Sequence, residues 1–214
     1  MLSHYYTIKE DGQYEIEIKK SRFICTLKRI ESEEMAREYI QQLKKEHWKA
    51  THNCSAYVLG DKQEIQRSSD DGEPSGTAGV PMLEVLKVKQ LRNVLAVVTR
   101  YFGGTKLGAG GLIRAYSQSV SEALKHIGIV EGVLMQEVQV TVGYPLHGKL
   151  EYFLQQADIY VKDTAFTERV TVSCMITEDR VQAFRSKLDD LLSGQYDIQL
   201  KGTDYFETPV PPSS

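Results

Sequence analysis

Residues 94–127 constrain the fold more than any other stretch, because three patterns follow one another there without a gap. Val94, Leu95, Ala96, Val97 and Val98 form a continuous apolar run, the pattern of a strand buried on both faces. Five of the nine positions from Gly103 to Gly111 are glycine. Leu112, Ile113, Tyr116, Val120, Ala123, Leu124 and Ile127 then recur at helical spacing, with Arg114, Gln118, Ser121, Glu122 and Lys125 between them. Strand, glycine-rich turn and amphipathic helix are the reading. Glycine at this density costs chain entropy, so it implies positive φ angles or backbone brought close to something. Free amides in the first turn of the helix, together with its dipole, suit an anion.

Arg100, Lys106 and Arg114 bracket that turn with positive charge. The candidate phosphate or nucleic-acid contact is therefore Arg100, Lys106 and Arg114 with the backbone at Gly103, Gly104, Gly108, Gly110 and Gly111. A tight strand-to-helix crossover with close packing is the structural alternative. Neither GxGxxG nor the P-loop pattern GxxxxGK[ST] is present, so neither standard nucleotide site is supported. Charge agrees only locally. Residues 1–134 carry 19 Lys and Arg against 17 Asp and Glu, and residues 135–214 carry 7 against 12, so neither half is basic enough to predict nucleic-acid binding. Between residues 86 and 125, however, seven cations face only Glu122.

Upstream, residues 13–18 and 22–30 alternate apolar with polar and read as a strand pair joined at Lys19-Lys20-Ser21. Ser32 caps a helix with a buried stripe of Met35, Tyr39, Ile40 and Leu43, ending near His47. Trp48 is expected to cover the core edge. Cys54, Ala56 and Val58 alternate with Ser55, Tyr57 and Leu59 in a strand that turns at Gly60-Asp61 and returns through Ile65. His47, His52 and Cys54 suggest thiol or metal chemistry. A strand-buried Cys54 without a nearby acidic orienting residue favours structural roles for all three.

The loop 68–79 has no apolar periodicity and is long, and such loops are often functional. Asp70, Asp71 and Glu73 could hold a divalent cation, but their spacing is not that of an EF-hand, and the reading is an acidic solvated loop. These three with Ser75 and Thr77 form the secondary candidate set. Gly76, Thr77 and Gly79 fall near the start of a helix around residues 82–88, a second end that could face an anion. Three widely spaced cysteines, Cys25, Cys54 and Cys174, form no CxxC pair and read as buried thiols. No run reaches the roughly 18–20 apolar residues of a membrane span, and residues 1–18 lack the apolar core of a secretion signal, so the expected location is cytoplasmic.

A domain boundary is placed near 129–135, with Gly132 in a short connector. Beyond it come a strand with Val138, Val140 and Val142 inward, a helix opened by Pro145, and strands around Ile159–Val161 and Val170–Ile176. Thr177 caps a second helix that Gly194 stops, and Tyr196, Ile198 and Leu200 open the last strand. The order βαββαβ is the ferredoxin-like arrangement. The domains are thus 1–132 and 133–207, with 208–214 a disordered proline-rich tail.

Four ordered segments carry a resemblance. They are Lys20-Ser21-Arg22-Phe23-Ile24, His52-Asn53-Cys54-Ser55-Ala56-Tyr57, the run from Asp70 to Gly79, and the run from Arg100 to Tyr116. Together they resemble the IMPACT/YigZ family, on the side of its bacterial YvyE-like members. The match is strong over about residues 1–130, and the second domain is similar to the small C-terminal domain of bacterial members. The resemblance implies an α+β chain of two domains. The first would be a ribosomal-protein-S5-domain-2-like α/β sandwich, as in elongation factor G domain IV, and the second a ferredoxin-like domain, as in domain V of that factor. In eukaryotes the family is linked to translational control through an activator of the amino-acid-starvation kinase. Those members carry a different, RWD-type partner domain, so that interaction does not transfer. The family supplies no accepted catalytic residues.

The leading expectation is a non-enzymatic RNA- or ribosome-binding protein that regulates translation, with a possible protein partner in that process and no membrane association. No catalytic residue, metal ligand or cofactor is assigned. The alternatives are a small-molecule phosphate-binding enzyme of kinase-like fold, with magnesium at Asp70, Asp71 or Glu73, and a protein-interaction adaptor.

Overall fold

The computed structural model describes residues 2–211, which divide into two compact units. The first runs to Gly132 and resumes at Thr208; the second is Val133–Glu207.

In the first unit the chain order is β1 (His4–Ile8), β2 (Gly12–Ile18), β3 (Ser21–Arg29), α1 (Glu33–Glu46), β4 (His52–Leu59), β5 (Ile65–Ser69), α2 (Gly79–Val88), β6 (Val94–Tyr101) and α3 (Gly108–Ile127). Five strands form one antiparallel sheet in the order β2-β3-β6-β4-β5. The apolar run of β6 lies at its centre, as a strand buried on both faces must. Opposite positions share a face, so Cys25, Val98 and Cys54 form one row and Leu27, Ala96 and Ala56 the next. Met82 and Leu86 of α2 and Leu112, Tyr116 and Val120 of α3 pack on that face. On the other, Ala36 and Leu43 of α1 pack on Tyr57, Leu59, Leu95 and Val97. This is the S5-domain-2-like sandwich. The Ser32 hydroxyl caps α1 by accepting from the Met35 amide at 3.1 Å.

The rest of the chain is β7 (Ile129–Val142), α4 (Tyr144–Gln156), β8 (Tyr160–Phe166), β9 (Val170–Ile176), α5 (Val181–Leu192) and β10 (Tyr196–Pro209), and the second unit holds all of it but the first four residues of β7 and the last two of β10. The ferredoxin-like order β10-β7-β9-β8 lies in a five-stranded sheet whose fifth strand, β1, also pairs with β7. Leu150 and Leu154 of α4 and Phe184 and Leu188 of α5 cover Val138, Val140, Val172 and Cys174.

Three expectations need correction. Trp48 does not cover the core edge; its side chain is 73% exposed, with the Lys49 ammonium 5.1 Å from the ring centre. Gly132 is not in a connector, because β7 runs unbroken from Ile129 to Val142; a Cβ at Gly132 would fall 2.2 Å from the Tyr5 ring, which lies against the strand there. The tail does not begin at 208, since Thr208 and Pro209 complete β10 and the Val210 amide donates to the Ile129 carbonyl at 2.8 Å. Residues 212–214, also assigned to that tail, lie outside the described residues.

Candidate nucleic-acid interface

Sheet register decides where the sequence candidates go. Arg100 stands opposite Phe23 on one side and His52 on the other, at the end of the face that α2 and α3 cover. An arginine continuing an apolar strand into the interior needs a counter-charge. Glu73 supplies it. Its Oε1 accepts from Arg100 Nη1 and from the Tyr116 hydroxyl, each at 2.6 Å, and its Oε2 lies 3.6 Å from His52 Nε2. The side chains of Glu73 and Arg100 are 3% and 6% exposed. The guanidinium also lies 5.4 and 5.6 Å from the ring centres of Phe23 and Phe102.

Arg100 is therefore not part of the candidate phosphate contact, an exposed ledge at the glycine-rich turn, for which the sequence nominates it. Glu73 likewise departs from the expected solvated loop: the 70–79 segment turns its carboxylates inward because buried donors wait for them. The Asp70 carboxylate accepts from the amides of Gly76, Ala78 and Gly79 at 2.8–3.1 Å. Burial alone would raise its pKa, but these three N–H groups outweigh that and hold the carboxyl below its ordinary range. Asp71 accepts from the Asn53 amide at 2.8 Å and from Lys44 Nζ at 2.6 Å. Its carbonyl takes His52 Nδ1 at 2.8 Å, while the Cys54 thiol donates to the Asp70 carbonyl at 3.0 Å. Thr77 is buried and donates to the Pro74 carbonyl; Ser75 is exposed. The start of α2, read as a second anion-facing end, is thus already occupied by Asp70.

Burial pushes the Cys54 thiol up to about 12. Burial, then the neighbouring Cys54 sulfur and the Glu73 carboxylate, holds the Tyr116 phenol far above its ordinary range. All three cysteines are free and buried. Among the described residues no group of three or more His, Cys, Asp or Glu could hold a metal ion.

The glycine-rich stretch divides by function. Gly103 answers to packing: a Cβ there would lie 2.1 Å from the Lys20 carbonyl and 2.5 Å from the Ser21 amide nitrogen. Its own N–H donates to Ser21 Oγ at 3.2 Å. Nothing comparable crowds Gly104 or Gly108, both at positive φ, and a Cβ at Gly110 would meet only the tip of Arg114, at 3.8 Å. Gly104, Gly108 and Gly110 are exposed and Gly111 is half-buried, in or just before the first turn of α3. Among the described residues no side chain accepts from the amides at that helix start, in contrast to α2, whose first amides Asp70 takes. Lys106 and Arg114 are exposed and neither pairs with a carboxylate among the described residues; the Arg114 Nε–H donates to the Gly110 carbonyl at 3.2 Å. Lys106 precedes this open end by two residues, and Arg114 reaches back to it at Gly110.

Sequence reasoning missed the partners of the buried charge: Ser21, His52 and Tyr116. The available signal was Arg100 itself, a charge continuing a strand buried on both faces. All four segments of the sequence resemblance converge on this network, through Ser21, His52 to Cys54, Asp70 to Gly79, and Arg100 with Tyr116.

Comparison with known proteins follows the same division. The Impact N-terminal domain matches residues 19–124, and a domain of unknown function, DUF1949, matches residues 140–195. IMPACT family member YvyE of Bacillus subtilis (strain 168) is 51% identical over 210 residues, covering 98% of this chain and 97% of the relative. The Escherichia coli (strain K12) family member YigZ is 35% identical over 184 residues, covering 85% and 90%. A solved structure described as a hypothetical protein superposes with a TM-score of 0.58 at 32% identity, covering 94% of this chain and 99% of the other. No helix among the described residues is long and apolar enough to cross a membrane. Two domain matches in the order of the two units, and identity along nearly the whole chain, place this protein in the IMPACT family.

Proposed function

We propose that this chain is a cytoplasmic, non-enzymatic RNA- or ribosome-binding protein that acts in the regulation of translation, and that the open N-terminus of α3 is its contact with phosphate. The observation that carries this reading is the contrast between two helix starts in one domain. At α2 the Asp70 carboxylate accepts the free amides. Among the described residues no side chain does so at α3, and the exposed Gly108 and Gly110 lie in sequence between Lys106 and Arg114, neither of which pairs with a carboxylate there. Backbone amides at a helix start, flanked by Lys and Arg, position phosphates without reading bases, which suits a structured RNA surface. Glu73, Arg100, Tyr116 and His52 have the residue types of a catalytic centre, but they engage one another and hold the loop.

Binding of structured RNA oligonucleotides and of ribosomes, measured across a salt series, tests the proposal. Lys106→Ala and Arg114→Ala should each weaken binding and lower the log–log salt slope by roughly 0.7–0.9. Salt-insensitive binding, or wild-type slopes in both variants, overturns it.

A further inference from the structure

Beside the ledge lies a second surface that the proposal above does not use. Helices α2 and α3 enclose a groove of about 520 Å³. Val80, Glu84 and Val88 line one wall and Ile113, Ser117 and Ser121 the other, each set at i, i+4, i+8 and so forming one stripe along its helix. Val80 is 49% exposed, Val88 76% and Ile113 42%. Three branched aliphatic side chains on one groove are the feature that marks an interaction site rather than scattered exposure. Small serines opposite the valines leave room for inserted side chains.

Charge says what fits. Glu84 is neutralised by Lys87 at 2.8 Å, and Glu122 on α3 by Lys125 at 2.8 Å. Lys89, in the groove lining, pairs with no carboxylate among the described residues. An apolar floor with an uncompensated lysine in its lining matches an occupant that is apolar on one side and acidic beside that stripe. A groove between two helices, about 15 Å long from the ten residues of α2, takes roughly three turns of a third helix. RNA fits it less well: no lining residue has an aromatic ring for a base to stack on.

We infer that the α2–α3 groove docks a short amphipathic helix of a partner protein, with apolar residues along one stripe and acidic residues beside it. The inference stands apart from the proposed RNA contact and survives its failure. Val80 and Val88 supply the apolar ridge, Ile113 the facing contact, and Lys89 selects for an acidic flank.

Selection from a displayed library of random helical peptides about 14 residues long, on the full chain with counter-selection against Val88→Asp, tests it. Enriched peptides should carry apolar residues at i, i+3 or i+4, and i+7, with Asp or Glu alongside. As free peptides they should bind Val88→Asp and Ile113→Asp at least tenfold more weakly, and Lys89→Glu roughly three- to fivefold more weakly at low salt. Val88 is mostly exposed, so its variant should melt with the parent, which separates lost docking from lost folding. Lack of enrichment over the counter-selected variant overturns the inference. So do peptides with no acidic bias that bind Lys89→Glu unchanged, a dimer of this chain that Val88→Asp abolishes, or RNA binding lost in Val88→Asp.

Discussion

Glu73→Gln isolates the buried charge pair on which the first domain closes. The substitution preserves shape and leaves an acceptor oxygen for the Tyr116 hydroxyl, but it removes the only carboxylate within salt-bridge distance of Arg100 among the described residues. Arg100 then remains as a cation, 5% exposed, in a row closed by Phe23 and His52. Removing one member of a buried pair costs about 3–5 kcal/mol, and the conservative amide places the expected loss near the lower end, about 3 kcal/mol. For a chain of this size that corresponds to roughly 6–12 °C in Tm. Calorimetric melting with urea unfolding measures it. Glu73→Leu with Arg100→Met should be less damaging than Glu73→Gln alone, since removing both charges leaves none stranded. A Glu73→Gln variant within about 1 kcal/mol of the parent, the value of an exposed pair, would show that Arg100 is solvated and that the account of the loop is wrong.

Three further outcomes follow from neighbouring groups. Asp70 has its pKa lowered in the fold, so its contribution is present above the unfolded carboxylate pKa of about 3.9 and is lost as pH falls through the lower folded value. Asp70→Asn should cost about 1–2 kcal/mol at neutral pH, because an amide NH2 would replace one of the two oxygens that accept backbone N–H groups, and flatten the acid limb of a stability–pH curve; an unchanged acid limb contradicts this. The Cys54 and Cys174 thiols, pushed by burial to about 12, should resist iodoacetamide at pH 8 in the native protein and react only in denaturant, as mass spectrometry would read. Gly103→Ala should destabilise by about 1–3 kcal/mol because its Cβ meets the backbone of the Lys20–Ser21 turn, and a neutral result would place that turn elsewhere.

What the sequence makes legible here is whatever depends on near neighbours. The hairpin of β2 and β3, the Ser32 cap, the central position of β6 and the whole βαββαβ order follow from periodicity and end signals. Features set by distant residues do not. β1 escapes notice because His4-Tyr5-Tyr6 shows no clean alternation and only Thr7 and Ile8 are buried. β7 looks broken at Gly132 because the Tyr5 ring that requires the glycine comes from the other end of the domain. Glu73 looks solvated because its partner lies 27 residues away and meets it only through the register that sets Arg100 between Phe23 and His52. The candidate ledge was readable as glycine and charge, but which glycines serve packing and which remain open depends on where the Lys20–Ser21 turn lies.

Gly110→Ala puts the central claim to its most direct test. Helix propensity alone says that alanine should stabilise α3 by up to about 1 kcal/mol, since φ is ordinary there and the added Cβ meets nothing closer than Arg114 at 3.8 Å. If the glycine keeps the surface clear for a polyanion, the variant will melt higher than the parent and bind structured RNA more weakly at the same salt concentration. Higher stability with undiminished RNA binding contradicts the account.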